Sequence, residues 1–358
     1  RLVSRPSEQI SEKNFEIHTE KLQPLSENQV LLQNNYLSFD PTQRIWAVMD
    51  SYMPKVEMGE VMRAFGIGQV IESRDKRYQK GDMVFANVGW QDYKIIDTMQ
   101  QEIFKPQIIP GFLDPITVLA LGITGVTAYI GIQKIARVGT NDVVLVSGAA
   151  GAVGSMVCQI AKLKGARVIG IAGGKHKCSY LLDKLKIDAA IDYKTDNISE
   201  KIDHYAGDGI SIFFDNVGGE VLDTALTKIR KFARIVLCGA ISEYNQFSAN
   251  HSKEPSATKN VFNLIIQSAR MEGFVLTDYM KESAKSMMAL HHWLEQEKIH
   301  LTIDMQKGFE EIPSTLQRLF TGENIGKQLL TLSEPALALN SSKLQEKLFR
   351  AGGYVFGM

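Results

Sequence analysis

Hydrophobic residues in the middle of the chain form short uninterrupted runs separated by helical patterns. Residues 143–146 form the first run, and it lacks alternation, as expected for a parallel strand that is buried on both faces. Further strands are predicted at residues 167–171, 189–191, 210–214, 234–238 and 271–276. Six strands with helices or long connections between them predict a doubly wound parallel sheet.

The first 110 residues have a different pattern. Short strand-like runs alternate there with Gly, Pro, Asn and Asp, which predicts a mostly β, barrel-like domain. A helical, small-residue-rich passage leads into the parallel sheet, and a helix is predicted at residues 281–297. The predicted domains are a discontinuous β domain of residues 1–120 and 300–335, a parallel-sheet domain of residues 121–299, and a tail of residues 336–358 to which no role is assigned.

Three glycines follow the first buried run at every third position, namely Gly148, Gly151 and Gly154. Such a turn allows backbone N–H groups at a helix N-terminus to meet a pyrophosphate, with glycine where a side chain would block its approach. This GxxGxxG is one residue out of phase with the usual GxGxxG. A turn that serves only close packing of helix on strand is the alternative.

The second predicted strand ends in a cationic cluster. An NAD-binding fold carries an acidic residue about 20 positions past the glycine turn, but residues 172–177 contain no Asp or Glu, and Lys175, His176 and Lys177 stand there instead. Cations suit the 2′-phosphate of NADP through charge-assisted hydrogen bonds. A solvated, lysine-rich helix start is the alternative. The sequence therefore favours NADP over NAD.

Composition narrows the partners and the compartment. The 40 basic and 40 acidic residues of the 358 cancel, so no global field attracts nucleic acid or an anionic membrane, and a small-molecule partner is expected. Three cysteines without paired spacing predict no disulfide framework and a reducing, cytoplasmic compartment. Residues 115–133 and 143–161 are uncharged and long enough to raise the question of a membrane span, but Gly, Thr and Ser interrupt both, and no span is expected.

Eight motifs between about residues 30 and 330 carry a resemblance to a known family. They are YLSFDP (36–41), GWQDY (89–93), GITGVTAY (122–129), GAAGAVGSMVCQIAKLKG (148–165), FFDNVGGE (213–220), CGAISEYN (238–245), MEGFVL (271–276) and GENIGK (322–327). The sequence resembles the zinc-independent medium-chain dehydrogenase/reductases, in the group of prostaglandin reductases, plant alkenal double-bond reductases and bacterial curcumin reductases. The resemblance implies an α/β fold with a GroES-like β-barrel domain plus a Rossmann doubly wound parallel sheet, and an active site in the cleft between them.

The resemblance also implies which residues bind NADPH. By position they are Thr124, Ala150, Gly151, Ala152, Val153, Gly154, Gly173, Lys177, Tyr193, Asn216, Cys238, Gly239, Ala240, Ile241, Ser242, Tyr244, Phe274, Val275, Leu276 and Asn324. Lys177 and Tyr193 are expected at the adenosine 2′-phosphate, and Thr124 near the nicotinamide. Two of the residues have structural alternatives, since Asn216 could cap a turn before Gly218 and Phe274 could belong to the core.

One departure concerns the substrate side. Relatives read DPYMR where this chain has Asp40, Pro41, Thr42, Gln43 and Arg44, so an aromatic residue expected near the substrate is replaced by Thr42. Tyr52 is expected to supply an aromatic wall from the next loop. Substrate range is therefore the property that transfers least well from the family.

The resemblance to medium-chain enzymes raises the question of zinc, which alcohol dehydrogenases of this superfamily hold with Cys and His ligands drawn largely from the barrel domain. The chain has no cysteine before Cys158 and one early histidine, His18, and the adjacent pair His291 and His292 lacks the spacing of a single-face site. No metal is therefore expected.

Without a metal, NADPH suits hydride addition to the β-carbon of an α,β-unsaturated ketone or aldehyde, the enone or alkenal substrate expected here. Tyr244 is the candidate donor to the carbonyl oxygen, where charge develops in the transition state, and Tyr52 is a second, weaker candidate. Tyr244 could instead only position the cofactor. An NADPH-dependent quinone oxidoreductase and a cofactor-binding protein without turnover are the alternative functions. A homodimer and a monomer both stay open.

Overall fold

The computed structural model describes residues 1–247 and 258–337. Within them the strands are β1 Gln29–Ser38, β2 Phe65–Ser73, β3 Met83–Asn87, β4 Tyr93–Asp97, β5 Gln107–Ile109, β6 Val143–Val146, β7 Arg167–Ala172, β8 Ala189–Asp192, β9 Ile210–Asp215, β10 Ile229–Leu237, β11 Arg270–Gly273, β12 Ile303–Lys307 and β13 Lys327–Thr331. The α-helices are α1 Thr42–Trp46, α2 Pro115–Ala120, α3 Val126–Tyr129, α4 Ala152–Leu163, α5 Lys175–Ser179, α6 Ile198–Ala206, α7 Gly219–Leu226, α8 Phe262–Ile266, α9 Met280–Glu295 and α10 Ile312–Thr321. Short 3-10 helices lie at Glu12–Asn14, Tyr244–Gln246 and Leu276–Tyr279.

The N-terminal strands form a mixed sheet in the order β12-β13-β1-β2-β3-β5, with β4 also paired to β1. Its pairs are antiparallel except for β12 with β13, which are parallel. The strand, helix and strand of residues 303–331 thus return to β1. One hydrophobic core joins side chains of β1, α1 and the N-terminal segment. The residue limits of the domains stay a prediction. The predicted tail lies outside the described residues from 338 onward.

The second sheet is parallel throughout, in the order β8-β7-β6-β9-β10-β11. This is the doubly wound order. From β6 the chain adds strands toward one edge of the sheet and from β9 toward the other, so the strand order reverses between β6 and β9, where such folds form a ligand crevice at the carboxyl ends of the strands. The predicted fold class is confirmed. The sequence misplaced two strand ends: β10 begins at Ile229, ahead of an irregularity that holds Phe232 at a φ of 60°, and β11 ends at Gly273 before the chain turns into a 3-10 helix.

A helical segment of residues Pro115–Ile135, made of alternating α-helical and π-helical turns, connects the two sheets. It is long and apolar enough to cross a membrane, with a mean hydropathy of 1.7, but 67% of its apolar window is buried inside the protein, and a buried core helix passes the same test. Two π-helical turns, Leu121–Gly125 and Ile130–Ile135, interrupt it. Gly131 allows close approach to the sheet, because a Cβ there would lie 2.5 Å from the Phe214 ring.

Candidate functional site

The glycine turn lies at the carboxyl end of β6, where the strand order of the parallel sheet reverses. It connects β6 to α4, and Gly148 takes a φ of 57° that favours glycine. A Cβ on Gly154 would collide with the Gly148 carbonyl oxygen and stand 2.8 Å from the Ala149 Cα. Gly154 therefore serves close packing of α4 on the turn. Gly151, the residue before α4, has an extended backbone, so the turn leaves the first N–H groups of α4 facing the crevice end of the sheet.

The loop after β9 packs directly on this turn. The Ser147 hydroxyl donates to Asp215 at 2.6 Å and accepts from the Asn216 backbone N–H, while the Asn216 amide donates to the Ser147 carbonyl at 2.7 Å. Burial raises the pKa of the Asp215 carboxyl, although Ser147 and the backbone of Val217 and Gly218 donate to it. Asn216 thus bridges two loops instead of only capping its own turn.

Residues 238–244 are fixed to the same loop along their backbone. The Cys238 and Gly239 N–H groups donate to the Asp215 carbonyl, and Ile241 and Ser242 donate to the next two carbonyls. The Ala240 N–H lies 3.3 Å from the Tyr244 hydroxyl and donates to it. Burial raises the pKa of the Tyr244 phenol above its ordinary value, and it raises the pKa of the Cys238 thiol to about 12. Both groups are therefore protonated at neutral pH.

The GENIGK loop closes over the glycine turn from the mixed sheet. The Gly326 N–H donates to the Ala150 carbonyl at 2.8 Å, and Gly326 forms an isolated parallel bridge with Gly151. Asn324 is buried, with its amide donating to the Gly326 carbonyl. This contact brings predicted site residues from the two sheets together.

The predicted phosphate end lies at the start of α5. The side chain of Lys177 is half-buried and its Nζ stands near Gly322, 3.9 Å from where a Cβ would lie. Burial, followed by the charge of Lys194, lowers the pKa of Lys177. Tyr193 is 50% exposed, and its ring lies over Gly173, where a Cβ would stand 2.7 Å from it. A lysine ammonium and a tyrosine hydroxyl are both hydrogen-bond donors that suit an adenosine phosphate.

The barrel side presents Tyr52. Its hydroxyl and that of Thr42 share a hydrogen bond of 3.0 Å, and its ring stands edge-on to Trp46 at 6.2 Å. The side chain is 43% exposed, yet burial around its hydroxyl raises the pKa of Tyr52 to about 12, and the neighbouring Asp40, Tyr244 and Cys238 contribute to that rise. Helix α1, which carries Thr42, also contacts the 3-10 helix Tyr244–Gln246.

A cleft of about 630 Å³ opens beside Tyr244. Predicted site residues among those that line it are Cys238, Gly239, Ala240, Tyr244, Phe274 and Val275. Phe274 also packs against the core, 3.0 Å from where a Cβ on Gly131 would lie, so it belongs to both. Leu276 packs against both hydrophobic cores. Thr124 is buried, and its hydroxyl donates to the Ala120 carbonyl of its own helix.

Sequence reasoning missed three features that organise this site. The Lys327 ammonium, 2% exposed, pairs with Asp40 at 2.6 Å, the Arg44 side chain is fully buried, and Thr42 bonds to Tyr52. Each joins residues far apart in the chain or on different loops. The charges inside the YLSFDP and GENIGK motifs were the available signal, because a charged residue within an apolar motif needs a partner when it is buried.

The residues fit NADPH better than zinc. Backbone N–H groups at a helix start, a half-buried lysine and the hydroxyl of an exposed tyrosine are donors that suit phosphates. In contrast, no group of three or more His, Cys, Asp or Glu residues in the part of the chain that the structure describes is arranged to hold a metal ion.

Comparisons with known proteins agree with this geometry. Residues 1–104 match the family described as "N-terminal domain of oxidoreductase", and residues 152–293 match the family described as "Zinc-binding dehydrogenase". A 2-alkenal reductase (NADP(+)-dependent) of Nicotiana tabacum is 37% identical over 87% of this chain and 89% of that protein. Prostaglandin reductase 1 of Oryctolagus cuniculus is 36% identical over 88% of each.

A solved structure extends the likeness to three dimensions. The crystal structure of CurA from Vibrio vulnificus in complex with NADPH superimposes with a TM-score of 0.86 at 35% identity, covering 93% of this chain and 98% of that one. The similarity thus spans both sheets and the loops that meet between them. The chain belongs to the zinc-independent medium-chain dehydrogenase/reductases, in the group of the alkenal, prostaglandin and curcumin reductases.

Proposed function

We propose that this chain is an NADPH-dependent reductase of the carbon–carbon double bond in α,β-unsaturated ketones and aldehydes. The observation that carries the proposal is a half-buried phenol, Tyr244, that lines a cleft together with the loop that packs on the nucleotide-type glycine turn. The names of relatives support it, since one is a 2-alkenal reductase that depends on NADP(+) and another is an NADPH-dependent curcumin reductase.

The cofactor is held, in this proposal, by the residues that the sequence predicts for it. The start of α4 would take the pyrophosphate, and Lys177 and Tyr193 would contact the 2′-phosphate. Asn216 and residues 238–244 would line the remainder, and Asn324 would hold the loop that covers the turn. When bound, NADPH supplies the hydride.

Tyr244 acts on the substrate carbonyl. Reduction at the β-carbon leaves negative charge on the carbonyl oxygen, and a donor placed at that oxygen stabilises the transition state more than the ground state. Burial raises the pKa of Tyr244, so its proton is present at neutral pH. Tyr52 is the second candidate, but Thr42 already shares a hydrogen bond with its hydroxyl. Solvent or Tyr244 then protonates the α-carbon.

A substrate panel tests the proposal. Purified protein is mixed with NADPH or NADH and an alkenal, an aryl enone, a quinone or a saturated ketone, and loss of absorbance is followed. We expect fast enone-dependent oxidation of NADPH, with NADH poorer by roughly a hundredfold, or about 2.7 kcal/mol. Turnover of the quinone alone would make the chain a quinone oxidoreductase. Tight NADPH binding without any turnover would make it a binding protein.

The finer statements on organisation belong to the same proposal. The two sheets support a division into a discontinuous domain of residues 1–120 and 300–335 and a second domain of residues 121–299. All three cysteines are unpaired, which supports a reducing, cytoplasmic compartment.

A homodimer is proposed through the edge of the parallel sheet. Strand β11 lies at that edge within the described residues, and exposed apolar side chains stand beside it: Phe232 is 74% exposed, Phe262 66% and Ile265 73%. An exposed apolar patch beside an unpaired strand edge is typical of an interface. Light scattering should give twice the chain mass, and Ile265→Lys should reduce it to the single-chain mass. A single-chain mass for the unchanged protein would contradict the dimer.

A further inference from the structure

Helix α1 carries two side chains that contact the segments bearing Tyr52 and Tyr244. Thr42, its first residue, bonds to the Tyr52 hydroxyl. Arg44, two residues later, donates from Nη2 to the carbonyl of Phe247 at 2.9 Å, across 203 residues of sequence. Phe247 directly follows the 3-10 turn that begins with Tyr244. One five-residue helix therefore contacts both tyrosine-bearing segments.

Arg44 is an unusual residue for a protein core. Its side chain is 0% exposed, and its other acceptors are the carbonyls of Glu8, at 2.7 and 3.2 Å, and Pro6, at 3.3 Å. Its acceptors among the described residues are backbone carbonyls, and its Nη1 has no hydrogen-bond partner there. Burial lowers its pKa to about 10, so it is charged at neutral pH. Burying a cation without a carboxylate partner is costly, and the carbonyls that compensate it lie on two separate segments, Pro6 and Glu8 on one and Phe247 on the other.

The contact to Phe247 holds the far end of a segment whose near end is already fixed. The Cys238 and Gly239 N–H groups bond to the Asp215 carbonyl at one end, and Arg44 binds the other end. Helix α1 is itself anchored, because Asp40 in the turn before it pairs with the buried Lys327. Lys327 directly follows Gly326, which contacts the glycine turn. Arg44 thus fixes the segment that carries Tyr244 relative to the barrel.

We propose that Arg44 is a positioning residue for Tyr244: its guanidinium holds the Phe247 carbonyl so that the Tyr244 hydroxyl faces the substrate carbonyl. This inference rests on the proposed donor role of Tyr244. In this role the buried guanidinium aligns the Tyr244 hydroxyl with the substrate carbonyl. A displacement of a reacting group by about 1 Å can lower the rate about a hundredfold.

The competing role is anchoring the N-terminal segment, since Arg44 also binds the carbonyls of Pro6 and Glu8. Arg5 provides the matched control, because it ties the same segment to the carbonyls of Ala47 and Val56 without touching Phe247. We expect Arg44→Lys to lower kcat for an enone by about 10- to 100-fold with little change in KM. Arg5→Lys should leave kcat within about twofold.

A double-mutant cycle separates positioning from general damage. If Arg44 acts through Tyr244, Arg44→Lys lowers kcat in the unchanged protein but causes no further loss in Tyr244→Phe, because coupled residues are not additive. Equal losses in both backgrounds, or an equal loss in Arg5→Lys, would overturn the proposal.

Amide hydrogen exchange gives a second measurement that needs no turnover. Arg44→Lys should speed exchange in the peptide covering residues 238–247, and Arg5→Lys should not. Unchanged exchange in Arg44→Lys would overturn the positioning role even if activity fell. Absence of NADPH oxidation by the unchanged protein would instead contradict the proposed function, and the exchange experiment would still decide the role of Arg44.

Discussion

The two halves of the candidate site are built in different ways. The glycine-turn half consists of backbone and close packing: Gly148 has a positive φ, Gly154 leaves no room for a Cβ, and Asn216 bonds to the turn beside it. The half around α1 consists of polar side chains that join distant segments, such as Arg44 with Phe247 and Lys327 with Asp40.

This difference indicates which kind of substitution should damage each half of the site. Added volume should damage the glycine-turn half, because its contacts are fixed by the backbone and nothing nearby can yield. Loss of single polar groups should damage the α1 half, because its geometry depends on individual hydrogen bonds. Gly154→Ala and Thr42→Val test this contrast directly, and Tyr244→Phe and Lys177→Ala test the two polar side chains that are proposed to act on substrate and cofactor.

Tyr244→Phe removes the proposed donor and should have the largest effect. We expect kcat for an enone to fall by about 10²- to 10³-fold, as for loss of one donor to a developing oxyanion, with NADPH affinity unchanged. Because burial raises the pKa of the phenol above its ordinary value, kcat of the unchanged protein should stay constant through the pH range in which an ordinary tyrosine ionises and fall only at higher pH. Tyr205→Phe, on α6, is the control. An unchanged kcat in Tyr244→Phe would exclude the donor role.

Lys177→Ala tests the phosphate end of the glycine-turn half. Loss of a charge-assisted hydrogen bond worth about 1.5–3 kcal/mol should weaken NADPH binding by roughly 10- to 100-fold. NADH, which lacks the phosphate, should be affected by less than about twofold. Titration of cofactor fluorescence measures both, with Lys201→Ala on α6 as control. Equal losses for the two cofactors would place Lys177 away from the phosphate.

Gly154→Ala tests added volume in the glycine turn. The new methyl group would meet the Gly148 carbonyl and the Ala149 Cα, so we expect the free energy of unfolding to fall by about 1–3 kcal/mol and NADPH binding to weaken. Gly122→Ala is the control, because its Cβ would meet only the Met287 methyl at 3.6 Å. A Gly154→Ala protein as stable as the unchanged one in urea unfolding would show that the turn can yield.

Thr42→Val tests a single polar contact in the α1 half and should have the smallest effect. It removes the hydrogen bond to Tyr52 while keeping the shape, so we expect a loss of about 1 kcal/mol, or roughly fivefold in KM for an enone. Thr42→Ser keeps the hydroxyl and should retain the KM. An equal change in both variants would assign the effect to packing, not to the hydrogen bond.

The parallel sheet could be predicted from the sequence because its strands are buried on both faces. Such strands appear as unbroken apolar runs, and β6 has the predicted bounds while α9, Met280–Glu295, lies within two residues of its prediction. The start of β10 was missed because residues 229–233 are partly exposed and include an irregularity. Tertiary pairing, and not hydrophobicity, sets that end.

The α1 half could be predicted only in part. Tyr52 and the change at Thr42 were identified through the family resemblance, but the contact between them was not. Arg44 in the run DPTQR gives no local indication of burial, because its acceptors are carbonyls of Pro6, Glu8 and Phe247. Such partners leave no side-chain pattern in the sequence. For Lys327 the partner is the Asp40 carboxylate, but it lies 287 residues away, so the sequence shows two charged residues and not their pairing.

The most direct test of the central claim follows the hydride. NADPH carrying deuterium at the transferred position is incubated with the protein and an aryl enone, and the product is analysed by NMR. We predict one deuterium on the β-carbon of a saturated ketone with the carbonyl intact. Deuterium on a carbinol carbon, with the double bond retained, would contradict the assignment.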